Sequence, residues 1–333
     1  MVKGKTILIT GAAETFGSAL ATAYITMEPR HLILIDNAET PLFELETALN
    51  PINQKKVKIT FILGSIKNKN QLKKIFSEER IDIIFHTAAY KHVSMLESNP
   101  FSALEANVFG TINLAEKAIK QEVKDFIYIS TDKAVNPISV MGMTKKIAEK
   151  YILGLSKSSK HETRFLITRF GNIEYSNGSV IPLFEYQIKN HLPVTITDKK
   201  ATRYFISISN VVKYIHKSLE LGNDGDVLLF NMGKPKNILE LAQKIIRDSK
   251  RSNIEIKIIG LRQGEKLNEE LIEKESILTN TSDSHIFRVQ SRDFFDFDNL
   301  KTEVQKLKRY SFTTSKNKLK RHLEKLCSSE LLN

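Results

Sequence analysis

One cysteine, Cys327, is all that the 333 residues contain. No internal disulfide can form, which fits a reducing, cytoplasmic setting. No run approaches the roughly 18 consecutive apolar residues of a membrane span, so none is expected. Met1-Val2-Lys3-Gly4-Lys5 leads straight into strand-like residues, without the apolar stretch and small-residue cleavage site of a signal peptide. Low-complexity tracts and internal repeats are absent. Acidic residues are in deficit, 38 against 50 Lys and Arg, for a net charge of +12. Half of that excess lies in residues 301–333, where nine Lys or Arg face three acids. A solvated helical tail explains such a run better than a polyanion-binding arm, so no nucleic-acid partner is expected. The charge can still concentrate a phosphorylated substrate.

What is present is alternation. Apolar, β-branched runs at 6–10, 31–36, 57–63, 81–86 and 126–130 predict strands. Helical spacing fills 18–26, 41–49, 71–77 and 101–120 between them. The pattern predicts an α/β fold, a Rossmann-type doubly wound parallel sheet with a smaller, interleaved substrate-binding lobe. The expected division is a dinucleotide-binding domain over 1–170, with returning segments at about 194–253, and a substrate lobe at 171–193 and 254–300. A basic tail over 301–333 follows. In such sheets ligands bind beyond the carboxyl ends of the strands, so the residues just after each strand should carry the chemistry.

After the first strand comes Thr10-Gly11-Ala12-Ala13-Glu14-Thr15-Phe16-Gly17. Gly11 suits the tight turn, and Gly17 the close packing of helix on sheet. The amides of the helix N-terminus can then meet a pyrophosphate. The middle glycine of the fingerprint is missing, and Glu14 stands in its place. Its carboxylate would repel phosphate if it pointed inward, so it is expected to face solvent. Ala13, Thr15 and Phe16 join Gly11 and Gly17 as candidate cofactor contacts. Asp36 ends the second strand, about 20 residues on, where a carboxylate can accept from adenosine ribose hydroxyls. This favours NAD, while Asn37 and nearby bases leave NADP open. Ser65, Ile66, Ala88 and Ala89 supply small or flat surfaces after the third and fourth strands. A tightly bound NAD or NADP is the cofactor expected.

Longer segments carry a resemblance. They are His86-Thr87-Ala88-Ala89-Tyr90-Lys91-His92-Val93, Asn107-Val108-Phe109-Gly110-Thr111, the stretch from Ser130 to Lys145, Arg169-Phe170-Gly171-Asn172, Gly178-Ser179-Val180-Ile181-Pro182-Leu183-Phe184, Thr202-Arg203-Tyr204-Phe205, and Leu261-Arg262-Gln263-Gly264-Glu265-Lys266. From about Lys5 to Glu273 the chain resembles the extended short-chain dehydrogenase/reductase superfamily. Within it, the chain is similar to the UDP-N-acetylglucosamine 4,6-dehydratases of bacterial polysaccharide and flagellin-glycan biosynthesis. The resemblance implies UDP-N-acetylglucosamine as substrate and adds Tyr90, Asn107 and Lys145 to the cofactor contacts. In such enzymes hydride leaves sugar C4, water is lost across C5 and C6, and hydride returns to C6. The elimination calls for an acid and a base side by side. Asp132 and Lys133 fit those roles, with the Asp132 pKa expected raised and that of Lys133 lowered.

Most of the superfamily carries a tyrosine four residues before the lysine, where this chain has Met141. Positions i and i+4 share a helix face, so the exchange falls within the site. A thioether cannot act as a base. Met141 marks a branch resembling enzymes that retain C5 configuration, with Thr131, a water or Lys91 assisting at the C4 hydroxyl. The resemblance also places Asn172, Arg203 and Arg262 near the substrate diphosphate, Glu265 at the uridine ribose, and Val180, Pro182 and Thr195 around the uracil, with Ser179 a further substrate contact. Glu174, where relatives carry small residues, is expected to disturb the diphosphate region. No metal is expected. Relatives pair through the helix carrying Lys145, which implies a homo-oligomer, a dimer or higher. The competing readings are a sugar-nucleotide 4-epimerase and a non-catalytic NAD(P)- or nucleic-acid-binding protein.

Overall fold

The computed structural model describes residues 1–158, 161–251, 253–291 and 295–328. Strand β1 (Thr6–Thr10) is buried throughout, because apolar and β-branched side chains fill both of its faces between two helix layers. β2 (His31–Asp36), β3 (Lys58–Leu63), β4 (Ile83–His86), β5 (Asp125–Ile129), β6 (Arg164–Arg169) and β7 (Asp226–Phe230) extend it as a parallel sheet. β9 (Ile286–Gln290) pairs antiparallel with β7, and β8 (Ile277–Asn280) pairs antiparallel with β9. The nine strands run in the order β8-β9-β7-β6-β5-β4-β1-β2-β3. The chain leaves β3 at one edge and re-enters as β4 on the other side of β1. That reversal opens the ligand crevice of a doubly wound sheet, and the Rossmann-type α/β expectation holds.

Helices α1 (Thr15–Ile25), α2 (Glu39–Leu49) and α3 (Lys69–Glu78) connect the first strands. The single helix expected over 101–120 is interrupted. Pro100–Ala103 passes into a π-helical segment, Leu104–Gly110, before α5 (Thr111–Lys120); the short α4 (Val93–Ser98) precedes them. Wide turns of this kind often reposition a side chain at a site, and here the residue is Asn107. Its Oδ1 accepts from the Tyr90 amide at 2.8 Å, and its Nδ2 donates to the Tyr90 carbonyl at 3.0 Å and to Thr144 Oγ1 at 3.1 Å. The loop after β4 is thereby tied to α6 (Val140–Lys157), which Ser139 caps by accepting from the Gly142 amide.

A separate apolar cluster lies beyond the strand ends. Ile181, Phe184 and Ile188 of α7 (Val180–Lys189) pack on Ile238, Ala242 and Ile246 of α9 (Ile238–Asp248), with Val194 and Ile196 beneath. α8 (Ile208–Leu221) instead joins the cluster on one face of the sheet.

The basic C-terminal segment departs from the solvated tail expected. α10 (Phe297–Leu307) and α11 (Lys316–Cys327) dock on the sheet's other helix layer, and Leu319, Leu323 and Leu326 are fully buried. Each such leucine stabilises the docking by about 1.5–3 kcal/mol. The i, i+4, i+7 spacing of those leucines hides among lysines in the sequence. Lys150 of α6 donates to the Leu326, Cys327 and Ser328 carbonyls at 3.1–3.3 Å. Among the described residues no helix is long and apolar enough to cross a membrane.

Candidate active site

Three cavities run end to end over the carboxyl ends of the strands. The first is lined by Gly11, Asp36, Asn37, Ser65, Ile66, Ala88, Ala89 and Tyr90. Gly11 has φ of +68°, and a Cβ there would lie 2.7 Å from the Ala88 backbone. A Cβ on Gly17 would lie 2.1 Å from the Gly11 carbonyl oxygen. The turn is closed to any larger residue, as a backbone cradle for phosphate requires. Asp36 is locked in place: Oδ2 accepts from the Ala13 amide at 2.9 Å and Oδ1 from the Ala38 amide at 3.0 Å. A nicotinamide dinucleotide fits this donor and acceptor set. Glu14 is exposed but lines this cavity rather than turning away from it, with its carboxylate 3.5 Å from Lys91 Nζ.

The second cavity shares Glu14, Ala89 and Tyr90 with the first. It adds Thr15, Phe16, Lys91, Thr131, Lys133, Met141, Lys145, Asn172, Ser179 and Val180. Met141 and Lys145 thus face one space from successive turns of α6. Lys145 Nζ donates to the Ile129 carbonyl at 2.6 Å and lies 4.4 Å from the Tyr128 ring centre. Burial pulls its ammonium down to about 7, against the opposing pull of Glu149. Lys91, one of the candidates for assisting at the C4 hydroxyl, lines this cavity and lies 3.5 Å from the Glu14 carboxylate.

Lys133 lines both the second and the third cavity. Its Nζ lies 3.0 Å from Asp132 Oδ1, 3.1 Å from Asn172 Oδ1 and 3.5 Å from Glu269 Oε1. Burial works against its charge, but Asp132 and Glu269 outweigh burial and raise the pKa. The lowered value expected for Lys133 is therefore corrected. The sequence shows Asp132 next door but hides Glu269, which arrives 136 positions later. Asp132 itself is fully buried and lines neither cavity. Its Oδ1 accepts from both Lys133 and Thr131 Oγ1, the latter at 2.8 Å, while Oδ2 has no partner among the described residues.

The third cavity gathers Asn172, Val180, Thr195, Arg203, Arg262 and Glu265. Arg203 is buried and donates to Glu265 Oε1 at 2.9 Å and to the Thr202, Lys266 and Leu267 carbonyls. Thr197 donates to the same Glu265 oxygen. Arg203 and Glu265, expected to act on separate parts of a nucleotide, thus hold each other. Two other expectations are corrected. Pro182 lines none of these cavities, because α7 turns Val180 and Leu183, spaced i, i+3, toward the space. Glu174 lines none of these cavities and is held by Lys236, 2.8 Å away.

Glu269 and His92 are among the lining residues that the sequence reading did not single out. Glu269 lies 3.9 Å from Arg203 Nε as well as beside Lys133, and its Oε2 is buried without a partner among the described residues. Its only signal is its place four residues after Glu265. His92 borders both the second and third cavities. A Cβ on Gly178 would lie 2.6 Å from its ring. Burial lowers its pKa, Lys91 adding to the effect. His92 stands inside one of the resembling segments, but spacing alone gave it no partner.

The family described as polysaccharide biosynthesis protein matches residues 7–291. The capsular polysaccharide biosynthesis protein CapD of Staphylococcus aureus is 39% identical over 275 residues, covering 82% of this chain and 46% of that protein. The chain thus spans about half the length of this relative. A UDP-glucose 4-epimerase of Rickettsia rickettsii is 34% identical over 282 residues, covering 83% of this chain and 80% of that protein. Among solved structures, Pen from Bacillus thuringiensis superimposes with a TM-score of 0.80 at 32% identity, covering 87% of this chain and 90% of Pen.

Proposed function

The chain belongs to the polysaccharide biosynthesis protein family, and from that premise we propose that it is a UDP-N-acetylglucosamine 4,6-dehydratase. The observation that carries the reading is the hydrogen bond between Lys133 and Asp132, 3.0 Å long, at the junction of the two inner cavities. A 4-epimerase performs no elimination across C5 and C6 and so needs no such acid–base pair.

A nicotinamide dinucleotide held by Gly11, Asp36, Asn37, Ser65, Ala88 and Lys145 would supply reversible hydride chemistry at the sugar. Whether it is NAD or NADP, Asp36 favours the form without a 2′-phosphate. The protein's own part is proton movement. At rest Lys133 and Asp132 form an ion pair, with Lys133 raised. One proton passing along their hydrogen bond yields the neutral amine and the neutral carboxylic acid that elimination requires. A bound sugar that excludes water favours this uncharged pair. Lys133 then takes the C5 proton, and the proton gained at Asp132 Oδ1 passes through a water to the departing C6 oxygen, since Asp132 itself lines neither cavity. Thr131, which lines the second cavity, takes the C4 hydroxyl proton as it passes its own hydroxyl proton to a water, in place of the missing tyrosine, and a proton returned from water later restores Asp132. Asn172, Arg262 and Thr195 border the diphosphate and uridine.

The 4-epimerase reading is favoured by two facts: the Rickettsia relative and the burial of Asp132 behind Lys133. Incubation with UDP-N-acetylglucosamine in deuterated water, followed by NMR, separates the two. A 4-keto-6-deoxy product with deuterium at C5 and retained configuration is expected. A C4 epimer with protium at C5 would instead establish the epimerase.

A further inference from the structure

Helix α11 lies outside the family match, which ends at residue 291, yet it reaches the substrate side of the site through one buried carboxylate. Glu97, in α4, has a side chain only 2% exposed. Its Oε1 accepts from the Val140 amide at 2.7 Å, at the first turn of the helix that carries Met141 and Lys145. The same oxygen backs Gly264: a Cβ there would lie 2.7 Å from it, and Gly264 sits at φ +77°. Gly264 belongs to the turn that presents Arg262, Glu265 and Lys266 to the third cavity. The other oxygen of Glu97 meets Lys320 Nζ of α11 at 3.0 Å. Lys316, one turn earlier, donates to the Ser98 carbonyl at 2.6 Å.

A buried carboxylate without a cation is strongly disfavoured. Only Lys320 forms an ion pair with Glu97 among the described residues. We propose that Lys320 is a positioning residue: by holding Glu97 it fixes together the start of α6 and the 262–266 turn, so that the C-terminal helices are a working part of the substrate site. The basic run at the end of the chain then has a local purpose at one lysine, while neighbours such as Lys318 are exposed. The consequence for nucleotide affinity rests on the sugar-nucleotide reading of the third cavity. The consequence for backbone order does not.

The test uses the full chain. Hydrogen exchange followed by mass spectrometry should show Lys320→Ala loosening peptides over 139–143 and 261–267, with the sheet strands unchanged. UDP affinity should fall about tenfold, with KM for UDP-N-acetylglucosamine rising and kcat held within about twofold. Lys320→Arg should restore both readouts, and Lys318→Ala should move neither. Glu97→Gln keeps an acceptor for Val140 without needing a cation, so adding Lys320→Ala to it should cost nothing further. Unchanged exchange at both segments in Lys320→Ala overturns the proposal. So does equal loosening by Lys320→Ala in the Glu97→Gln background, since the lysine would then serve only the docking of α11. If the parent protein binds no UDP, the functional reading falls, and the exchange pattern still decides the role of Lys320.

Discussion

Lys133 grips a single oxygen of Asp132: Nζ lies 3.0 Å from Oδ1, while Oδ2 is buried without a partner among the described residues. A purely structural ion pair usually satisfies both carboxylate oxygens. Asp132→Asn keeps the shape and removes the ionisable proton. UDP binding should stay within a fewfold of the parent, while dehydration falls by about 10²–10⁴. Lys133→Met should abolish C5 deuterium incorporation. Normal turnover in either variant rejects the acid and base assignment.

Met141 is buried in the core and also lines the second cavity. Truncation to Ala would confound chemistry with a core defect of about 2–5 kcal/mol, so Met141→Leu is the cleaner companion. Leu should keep turnover within about tenfold, since volume-conserving swaps are tolerated. Met141→Ala should remain active below its lowered melting temperature. A thousandfold loss in a folded Leu variant would mean that the thioether takes part directly.

Burial holds the Lys145 pKa at about 7, far below an exposed lysine. Below pH 7 the residue is protonated in both folded and unfolded chains, and its buried charge opposes folding in full. As pH rises above 7 the folded state sheds the proton first, so this opposition is relieved progressively toward pH 10.5. Lys145→Met should therefore be the more stable protein at pH 7. Its advantage should shrink by about 2–3 kcal/mol between pH 7 and 9. Denaturant titrations of both proteins across that range check the sign, and a constant gap would contradict it.

Glu14 and Lys91 are both substantially exposed, at 56% and 43%, and pair at the junction of the first two cavities. Glu14→Gly removes an anion from the start of α1, where a pyrophosphate is expected, and should tighten dinucleotide binding. Lys91→Ala leaves that anion unbalanced and should weaken it. Solvent screening limits each effect to about fivefold, and added salt should shrink both. Calorimetric titration of cofactor-free protein reads the two signs, and equal shifts in the same direction would contradict the pairing.

Much of the fold was legible because a parallel sheet leaves local marks. Strands buried on both faces, such as Thr6–Thr10 and His31–Asp36, read as unbroken apolar runs. The π-helical break at Leu104–Gly110 left no such mark, since its residues suit an ordinary helix. Site residues were legible where one segment holds them, as with Asp132 beside Lys133 or Met141 one turn before Lys145. Glu269, His92 and the Glu97–Lys320 contact were not, because each depends on segments that meet only after folding.

The residues alone determined the periodicity of the sheet, the glycine turn at Gly11, the acid at Asp36 and the adjacency of Asp132 and Lys133. Those are local properties of spacing and side-chain chemistry. Tertiary structure decided the electrostatics. It set Glu269 against Lys133, raising a pKa expected to fall, turned Glu174 to Lys236, and docked the basic helix on the helix layer that contains α6. A charge's state depends on burial and on neighbours within a few ångströms, and sequence distance does not encode either.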